Sequence, residues 1–429
     1  MRRKLENQLD AWKASKDRMP LIVNGVRQAG KTWLLEDFAK RNYQSYIRVS
    51  LDINKRVAAY FDNTSSIDRI ITLIEAEYNQ RIVPGHTLLI LDEIQSSEQA
   101  LASLKHFCED APQYHVASAG SLLGVALNRE EYSFPVGKVT TLDLHPMDFE
   151  EFLWAIGDEL LASEIRASFN TLKPLNEGLH LKALQRLREY CLVGGMPKCV
   201  KAFADGENML MLPETQNEIV NNYLADMAKY AKASETVKIR ACYNSMPSQL
   251  AKENRKFQYK LVKKGATSSR FDAAIEWLDL AGVTLKSTKT TQGLQPVTTH
   301  LDISSFKLYM ADTGLLSMKS GLKQSDVLAG GMYHFKGALM ENFVAQQLVA
   351  GGHDLYYWAS DNMAELDFVI QTQQGVTAIE VKSGENTRSK SLNSFIARYG
   401  PQRAIRLSSK PFGSGGLIMA VPLYAAFCI

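Results

Sequence analysis

The sequence predicts a multidomain α/β protein: a parallel-sheet α/β unit, a helical and winged-helix middle, and a second α/β unit at the C-terminus. Three observations predict it. Short apolar runs alternate with helix-periodic segments over residues 1–150, the pattern of strands and helices that build a parallel sheet. Residues 150 to about 300 are mostly helix-periodic. From about 305 the alternation returns. A length of 429 residues suits two to four domains at roughly 100–200 residues each.

The elements follow in order. Pro20–Asn24 reads as a buried strand, Thr32–Lys40 as a helix and Ser45–Leu51 as a strand. Ile67–Tyr78 has helical period, Thr87–Leu91 is an apolar strand, Ser97–Cys108 a helix and His115–Ala119 a strand. In the middle, Phe149–Trp154, Leu181–Tyr190 and Arg270–Leu280 are amphipathic helices, and Val193–Pro197 is a turn. Val283–Ser287 and the Thr/Gln-rich turn after it form a small hairpin, and a helix pair followed by a hairpin is a winged-helix outline. Next come a helix over 337–350, strands at 355–358, 365–370 and 376–381, a helix at 392–399, and strands at 403–407 and 416–419. Gly416–Phe427 is the most apolar stretch and reads as a buried terminal strand.

Composition excludes several classes. The chain is 45% hydrophobic and 22% charged, with 27 Gly and 13 Pro, which argues against a disordered, collagen-like or coiled-coil protein. A net charge of +3 does not by itself demand nucleic acid, although local clusters still can. Cys108, Cys191, Cys199, Cys242 and Cys428 are scattered without a CxxC pair, which argues against a disulfide framework or zinc site and for a reducing compartment. The N-terminus has no apolar signal region. No apolar run approaches the roughly 18 residues of a spanning helix. The expected address is therefore the cytoplasm, with no membrane partner.

Gly25-Val-Arg-Gln-Ala-Gly-Lys-Thr32 matches GxxxxGK[ST] between an expected strand and an expected helix, the context of a phosphate-binding loop. Its glycines let backbone N–H groups curl around a phosphate at a helix N-terminus. Lys31 would reach the β- and γ-phosphates, and Thr32 would ligate Mg²⁺. Leu88-Leu-Ile-Leu-Asp92-Glu93 is an apolar strand ending in two carboxylates. Asp92 would hold the Mg²⁺ through water or Thr32, and Glu93 would polarise the attacking water. The strand of Ser118-Ala-Gly-Ser121 offers Ser118 or Ser121 as a γ-phosphate sensor, and a plain turn explains the same residues.

Ala364–Ile370 and Ala378–Gly384 read as paired strands. Alternation puts Glu380 and Lys382 on one face. Asp367 on the neighbouring strand and Glu341 on the preceding helix could join them. Carboxylate oxygens bind divalent cations, and a lysine beside them can position a water, the equipment for metal-assisted phosphodiester hydrolysis. The competing reading is a surface salt bridge between Glu380 and Lys382. Lys252, Arg255, Lys256, Lys260, Lys263, Lys264 and Arg270, interleaved with Phe257, Tyr259 and Phe271, could meet DNA phosphates just before the recognition helix. A solvated basic helix explains them equally.

These motifs together resemble the prokaryotic AAA-type ATPases that carry a C-terminal domain of unknown function. The resemblance runs through GxRQxGKT (Gly25–Thr32), LDEIQ (Leu91–Gln95), Gly120-Ser121, Pro146–Phe152 and Gly194–Pro197. It continues through KLYxxDTGLL (Lys307–Leu316), GxxxENFV (Gly337–Val344), LDFVI and EVKSG. It covers nearly the whole chain. It implies a P-loop AAA-type ATPase domain over 1–155, a helical and winged-helix region over 156–304, and a PD-(D/E)XK restriction-endonuclease-like domain over 305–429. The implied cofactors are ATP and Mg²⁺, and the implied partner is DNA, through 252–270 and the last domain; self-association is left open. Lys31, Glu93 and Lys382 are then the candidate catalytic residues. Gly25, Arg27, Gln28, Ala29, Gly30, Lys31, Thr32 and Ser121 are the nucleotide-binding set. Thr32 and Asp92, with Glu341, Asp367 and Glu380 in the last domain, are the candidate metal ligands. Lys138 stands where the family usually has arginine, and lysine lacks the bidentate fork. Two functions compete: an ATP-hydrolysing, DNA-directed protein with a metal-dependent nuclease site, and a nucleotide-dependent switch or scaffold whose last domain binds a partner without cutting.

Overall fold

The computed structural model describes residues 1–62, 66–121, 134–253, 255–331, 333–360, 364–384 and 389–429. They form two compact units: Arg2–His145 with Leu280–Gly282, and Pro146–Asp279 with Val283–Ile429, to which Met1 also belongs.

The first unit is built on a parallel sheet of β1 (Leu21–Asn24), β2 (Ser45–Ser50), β3 (Thr87–Asp92), β4 (His115–Gly120) and β5 (Thr140–Asp143), in the order β2-β3-β4-β1-β5. β3 and β4 are buried along their whole length, which is why both read as unbroken apolar or small-residue runs. The helix Ile67–Tyr78 buries Ile67, Ile70, Ile71 and Ile74, the one-face spacing of an amphipathic helix, in a core shared with Val49, Leu89 and Leu91. Ser97 caps the helix Glu98–Glu109 by accepting from the Ala100 N–H. All five strands run the same way, so the loops after β1, β3 and β4 leave from one edge, where parallel sheets carry their sites. β5 went unread in the sequence: its four residues alternate between half-buried and exposed, too short a pattern to register.

The second unit begins with helices Phe149–Ala155, Glu159–Thr171, Glu177–Val193 and Pro197–Ala204. Asp148 and Glu151 make a reciprocal capping box at the first of them. Longer helices follow at Leu212–Tyr230 and Ala233–Leu250, and then Ser268–Leu280. The two compact units divide at His145/Pro146, and within the second Phe149 packs on Tyr190 at 5.6 Å and on Phe343 at 6.0 Å.

The expected hairpin is longer than the sequence suggested, and it is not a free wing. β6 (Thr284–Thr290) and β7 (Leu301–Met310) pair antiparallel, and β6 also pairs in parallel with β8 (Tyr356–Ala359). The hairpin thereby forms one edge of an eight-stranded sheet. The sheet continues with β9 (Glu365–Thr372), β10 (Gly375–Val381), β11 (Arg403–Ser408), β12 (Gly413–Gly415) and β13 (Ile418–Pro422), in the order β12-β13-β11-β10-β9-β8-β6-β7. Periodicity reveals that a strand exists but not which neighbour it bonds. Helices Lys336–Ala350 and Lys390–Tyr399 accompany this sheet. The expected terminal strand stops at Pro422 and passes into a buried 3₁₀ turn over Leu423–Cys428.

Candidate functional site

The phosphate loop leaves β1 at Gly25 and enters the helix Lys31–Asn42 at Gly30. Gly25 has φ 147°, and a Cβ there would stand 2.2 Å from the Leu144 carbonyl oxygen, so no other residue fits. Gly30 is left-handed at φ 93°, and Gln28 takes the same region at φ 66°. Ala29 is buried, while Arg27 and Gln28 are half-exposed. Arg3 braces the loop from below: Nη1 donates to the Ala29 carbonyl at 2.9 Å and Nη2 to His145 at 2.6 Å. Lys31 Nζ donates to the carbonyls of Gly25 at 2.8 Å and Val26 at 3.0 Å, which keeps the ammonium inside the loop's curve.

At the end of β3, Thr32 Oγ1 donates to Asp92 at 2.9 Å and 3.2 Å. Arg48 Nε lies 3.6 Å from the same carboxylate. Burial pushes the Asp92 carboxyl above its ordinary value, and Glu93's charge adds to this; the Thr32 hydrogen bond and Arg48 pull it down. Glu93 leaves the strand in a left-handed conformation, φ 52° and ψ 49°, which breaks the alternation that would have carried it to the opposite face. Ser121 Oγ donates to Glu93 Oε2 at 3.0 Å, and Gln95 Nε2 donates to the same oxygen. Of the two candidate serines, Ser121 therefore meets Glu93. Ser118 is fully buried in β4 and its hydroxyl has no partner among the described residues. Lys138 pairs with Glu109 at 2.8 Å.

The donor set suits a magnesium nucleotide. A loop that excludes side chains at Gly25, an ammonium within it, and a hydroxyl–carboxylate pair at its exit are the groups that hold phosphates and a hard, oxygen-seeking cation.

The C-terminal acids are arranged differently. Glu380 is buried, with Oε1 2.9 Å from Lys382 Nζ and Oε2 without a partner among the described residues. Asp367 Oδ2 accepts the Val381 N–H at 2.7 Å. Glu341 has partners of its own. It is 1% exposed and saturated by Lys307 Nζ at 3.3 Å, the Tyr309 hydroxyl at 2.5 Å, and Arg255. Lys307 is itself 0% exposed, also pairs with Glu365 at 2.5 Å, and sits 5.0 Å from the Tyr357 ring centroid. Among the described residues no three His, Cys, Asp or Glu side chains stand together as a metal-holding group. Both Glu341 oxygens are thus engaged by protein groups, two of them cations.

The basic segment is also split. Arg255 belongs to the Glu341 cluster, and Lys256 Nζ reaches Ser305 Oγ at 2.8 Å. Phe257 stacks on Phe306 at 5.4 Å, and Phe271 is buried; both are core residues rather than surfaces for bases. Lys252, Lys260, Lys263, Lys264 and Arg270 remain exposed.

Sequence reasoning assigned no role to Arg3, Arg48, Gln95 or Lys307. Gln95 carried a signal, two residues beyond Glu93 in the LDEIQ motif. Lys307 also stands in a motif, at the head of KLYxxDTGLL, but a lysine in a strand reads as solvent-facing.

Residues 17–153 match the model of a AAA domain. Residues 184–326 and 336–425 match the models of two domains of unknown function, DUF8612 and DUF4143. No curated protein matches the chain. Among solved structures, it is similar to a Walker-type ATPase of Pyrococcus abyssi at 13% identity and TM-score 0.45, over 74% of this chain and 95% of that one. It is also similar to the ORC1 protein of Aeropyrum pernix in complex with DNA, at 12% identity and TM-score 0.27, over 74% and 90% of the two chains. For Cdc6p of Pyrobaculum aerophilum the values are 11%, 0.24, 76% and 92%. The N-terminal unit is thus an AAA-type ATP-binding domain. Among the described residues no helix is long and apolar enough to cross a membrane.

Proposed function

We propose that the chain hydrolyses ATP and acts on DNA, with a C-terminal domain of restriction-endonuclease-like architecture. The observation that carries the ATPase half is the convergence of Lys31, the Thr32–Asp92 pair and the Ser121-held Glu93 at one edge of the sheet. Backbone N–H groups of 25–30 cradle the phosphates, and Lys31 turns from the loop carbonyls to the β- and γ-phosphate oxygens. Thr32 and Asp92 would hold Mg²⁺, which neutralises phosphate charge when bound. Glu93 orients the attacking water and draws its proton. The test is steady-state hydrolysis and labelled-nucleotide binding by wild type, Lys31→Ala and Glu93→Gln. Lys31→Ala is expected to lose both. Glu93→Gln is expected to keep binding and lose roughly 10²–10⁴-fold in kcat. Unchanged hydrolysis in both variants would overturn the reading.

The DNA half rests on the exposed Lys252, Lys260, Lys263, Lys264 and Arg270 beside the helix Ser268–Leu280, which offers phosphate contacts without sequence choice. The endonuclease-like reading is supported by the order helix–β8–β9–β10–helix–β11, with β9 and β10 antiparallel and β10 and β11 parallel. Asp367, Glu380 and Lys382 lie at one end of that pair. A metal here would have Asp367 and Glu380 for ligands and not Glu341. The test is a labelled DNA panel with Mg²⁺ or Mn²⁺, wild type against Lys382→Ala.

A second reading is favoured by the saturated Glu341: the domain binds a partner without cutting. DNA affinity that falls steeply with salt, with no cleavage under either metal, is its expected signature.

A further inference from the structure

We infer that Gln95 is a positioning residue for ATP hydrolysis, acting on Glu93 together with Ser121. The inference rests on the hydrolysis reading above. Three hydrogen bonds close a small ring. Gln95 Nε2 spends one hydrogen on Glu93 Oε2 and the other on Ser121 Oγ, at 3.3 Å. Ser121 spends its own hydrogen on the same Oε2, at 3.0 Å. Both donors therefore converge on one oxygen, and among the described residues no hydrogen bond falls on Oε1.

That asymmetry is what a base needs. A carboxylate free to rotate about its last torsion presents either oxygen in many directions, because such torsions are broad and two-fold. Pinning Oε2 from two sides fixes the plane of the group and leaves Oε1 to take the water. The backbone adds to the restraint. Glu93 sits in a left-handed conformation that non-glycine residues seldom adopt. It is stabilised from below by its carbonyl accepting the Ser96 N–H at 2.8 Å. The same short 3₁₀ turn, Ile94–Ser96, brings Gln95 back under the carboxylate. Gln95 is 2% exposed, so its amide is held by packing as well as by its partners. The pattern explains why Gln95 follows two residues behind Glu93: one tight turn returns its side chain to the carboxylate.

The test uses the full chain with Gln95→Met, which keeps the packing volume, and Gln95→Glu, which keeps the shape and removes the donor. Melting temperature and labelled-nucleotide affinity are measured beside hydrolysis. The expected result is a fall in kcat of roughly tenfold or more in both variants, with nucleotide affinity within about twofold of wild type. In a Glu93→Gln background, Gln95→Met is expected to change the residual rate no further, because its route of action is gone. Ser121→Ala and Gln95→Met combined are expected to cost less than the product of the two alone. Wild-type hydrolysis retained by both Gln95 variants would overturn the inference and leave the ATPase reading standing. An equal loss of affinity and kcat, or a further loss on the Glu93→Gln background, would show a structural role instead and overturn it too. Wild-type hydrolysis no faster than that of Lys31→Ala would overturn the ATPase reading, and the inference with it.

Discussion

Two clusters of acids in this chain look alike on paper and are held in opposite ways. At the end of β3, Asp92 and Glu93 receive their close hydrogen bonds from neutral donors, Thr32, Ser121 and Gln95, while the one ammonium of the loop, Lys31, is turned onto backbone carbonyls. In the C-terminal cluster protein cations hold Glu341, Glu365 and Glu380, while Asp367 accepts a backbone N–H. Lys307 and Arg255 sit on Glu341, Lys307 on Glu365, and Lys382 on Glu380. A carboxylate with neutral partners keeps its charge available for a metal or a water. A buried carboxylate paired with a buried ammonium has spent that charge on its own desolvation. Residue type alone does not distinguish the two cases.

The sharpest way to break the comparison is to remove the internal cation. Lys307→Met leaves Glu341 buried with a partner missing, and removing one member of a buried pair costs about 3–5 kcal/mol. The melting temperature of the second unit should fall accordingly. Lys307→Met with Glu341→Gln should recover at least half of the loss, because the uncompensated charge is gone. A single variant within about 0.5 kcal/mol of wild type would show that the cluster is not the stabilising ion group described here.

The nucleotide side breaks at the backbone. Gly25→Ala puts a methyl 2.2 Å from the Leu144 carbonyl at φ 147°. Strain of this kind costs about 1–3 kcal/mol per residue, so nucleotide affinity should drop roughly tenfold to a hundredfold with the C-terminal unit's melting unchanged. Isothermal titration with a non-hydrolysable nucleotide measures it. Wild-type affinity would mean that the loop re-forms around the methyl.

The two sides also differ in how much the sequence disclosed. The phosphate loop was legible because its chemistry is local: Gly25, Gly30, Lys31 and Thr32 lie within one turn, and the apolar run into Asp92 marks a buried strand. The clamp on Glu93 was half legible, since Gln95 and Ser121 lie in motifs but their meeting depends on β4 lying beside β3. The C-terminal cluster was the least legible. Glu341, Lys307 and Arg255 come from a helix, a strand and a connecting segment, and only tertiary packing shows that they cancel one another. The same cause hid the fate of the hairpin, because the polar Thr and Lys of β6 gave no sign that it joins β8.

The smallest expected effect separates the units by pH. In the first, burial near Arg18, Lys13 and His86 lowers the His115 imidazole to about 4, and its Nδ1 meets the Tyr43 hydroxyl at 2.8 Å. Because the folded value lies below the ordinary 6.5, the neutral ring contributes stability that is present above pH 6.5 and lost as pH falls toward about 4. In the second, burial raises the Asp312 carboxyl to about 6, against hydrogen bonds from the Gly195 N–H at 2.6 Å and the Leu315 N–H at 2.9 Å. Its folded value lies above the ordinary 3.8, so its contribution is full below pH 3.8 and lost as pH rises through about 6. Moving from pH 7 to pH 5 should therefore cost the first unit about 1–2 kcal/mol through His115 and favour the second by about 1 kcal/mol through Asp312. Thermal melts at the two pH values, read by tryptophan fluorescence, check this in wild type, His115→Gln and Asp312→Asn. Each variant should flatten the pH response of its own unit and leave the other's intact. A pH response that survives both substitutions would place the titrating groups elsewhere and remove this contrast between the two halves.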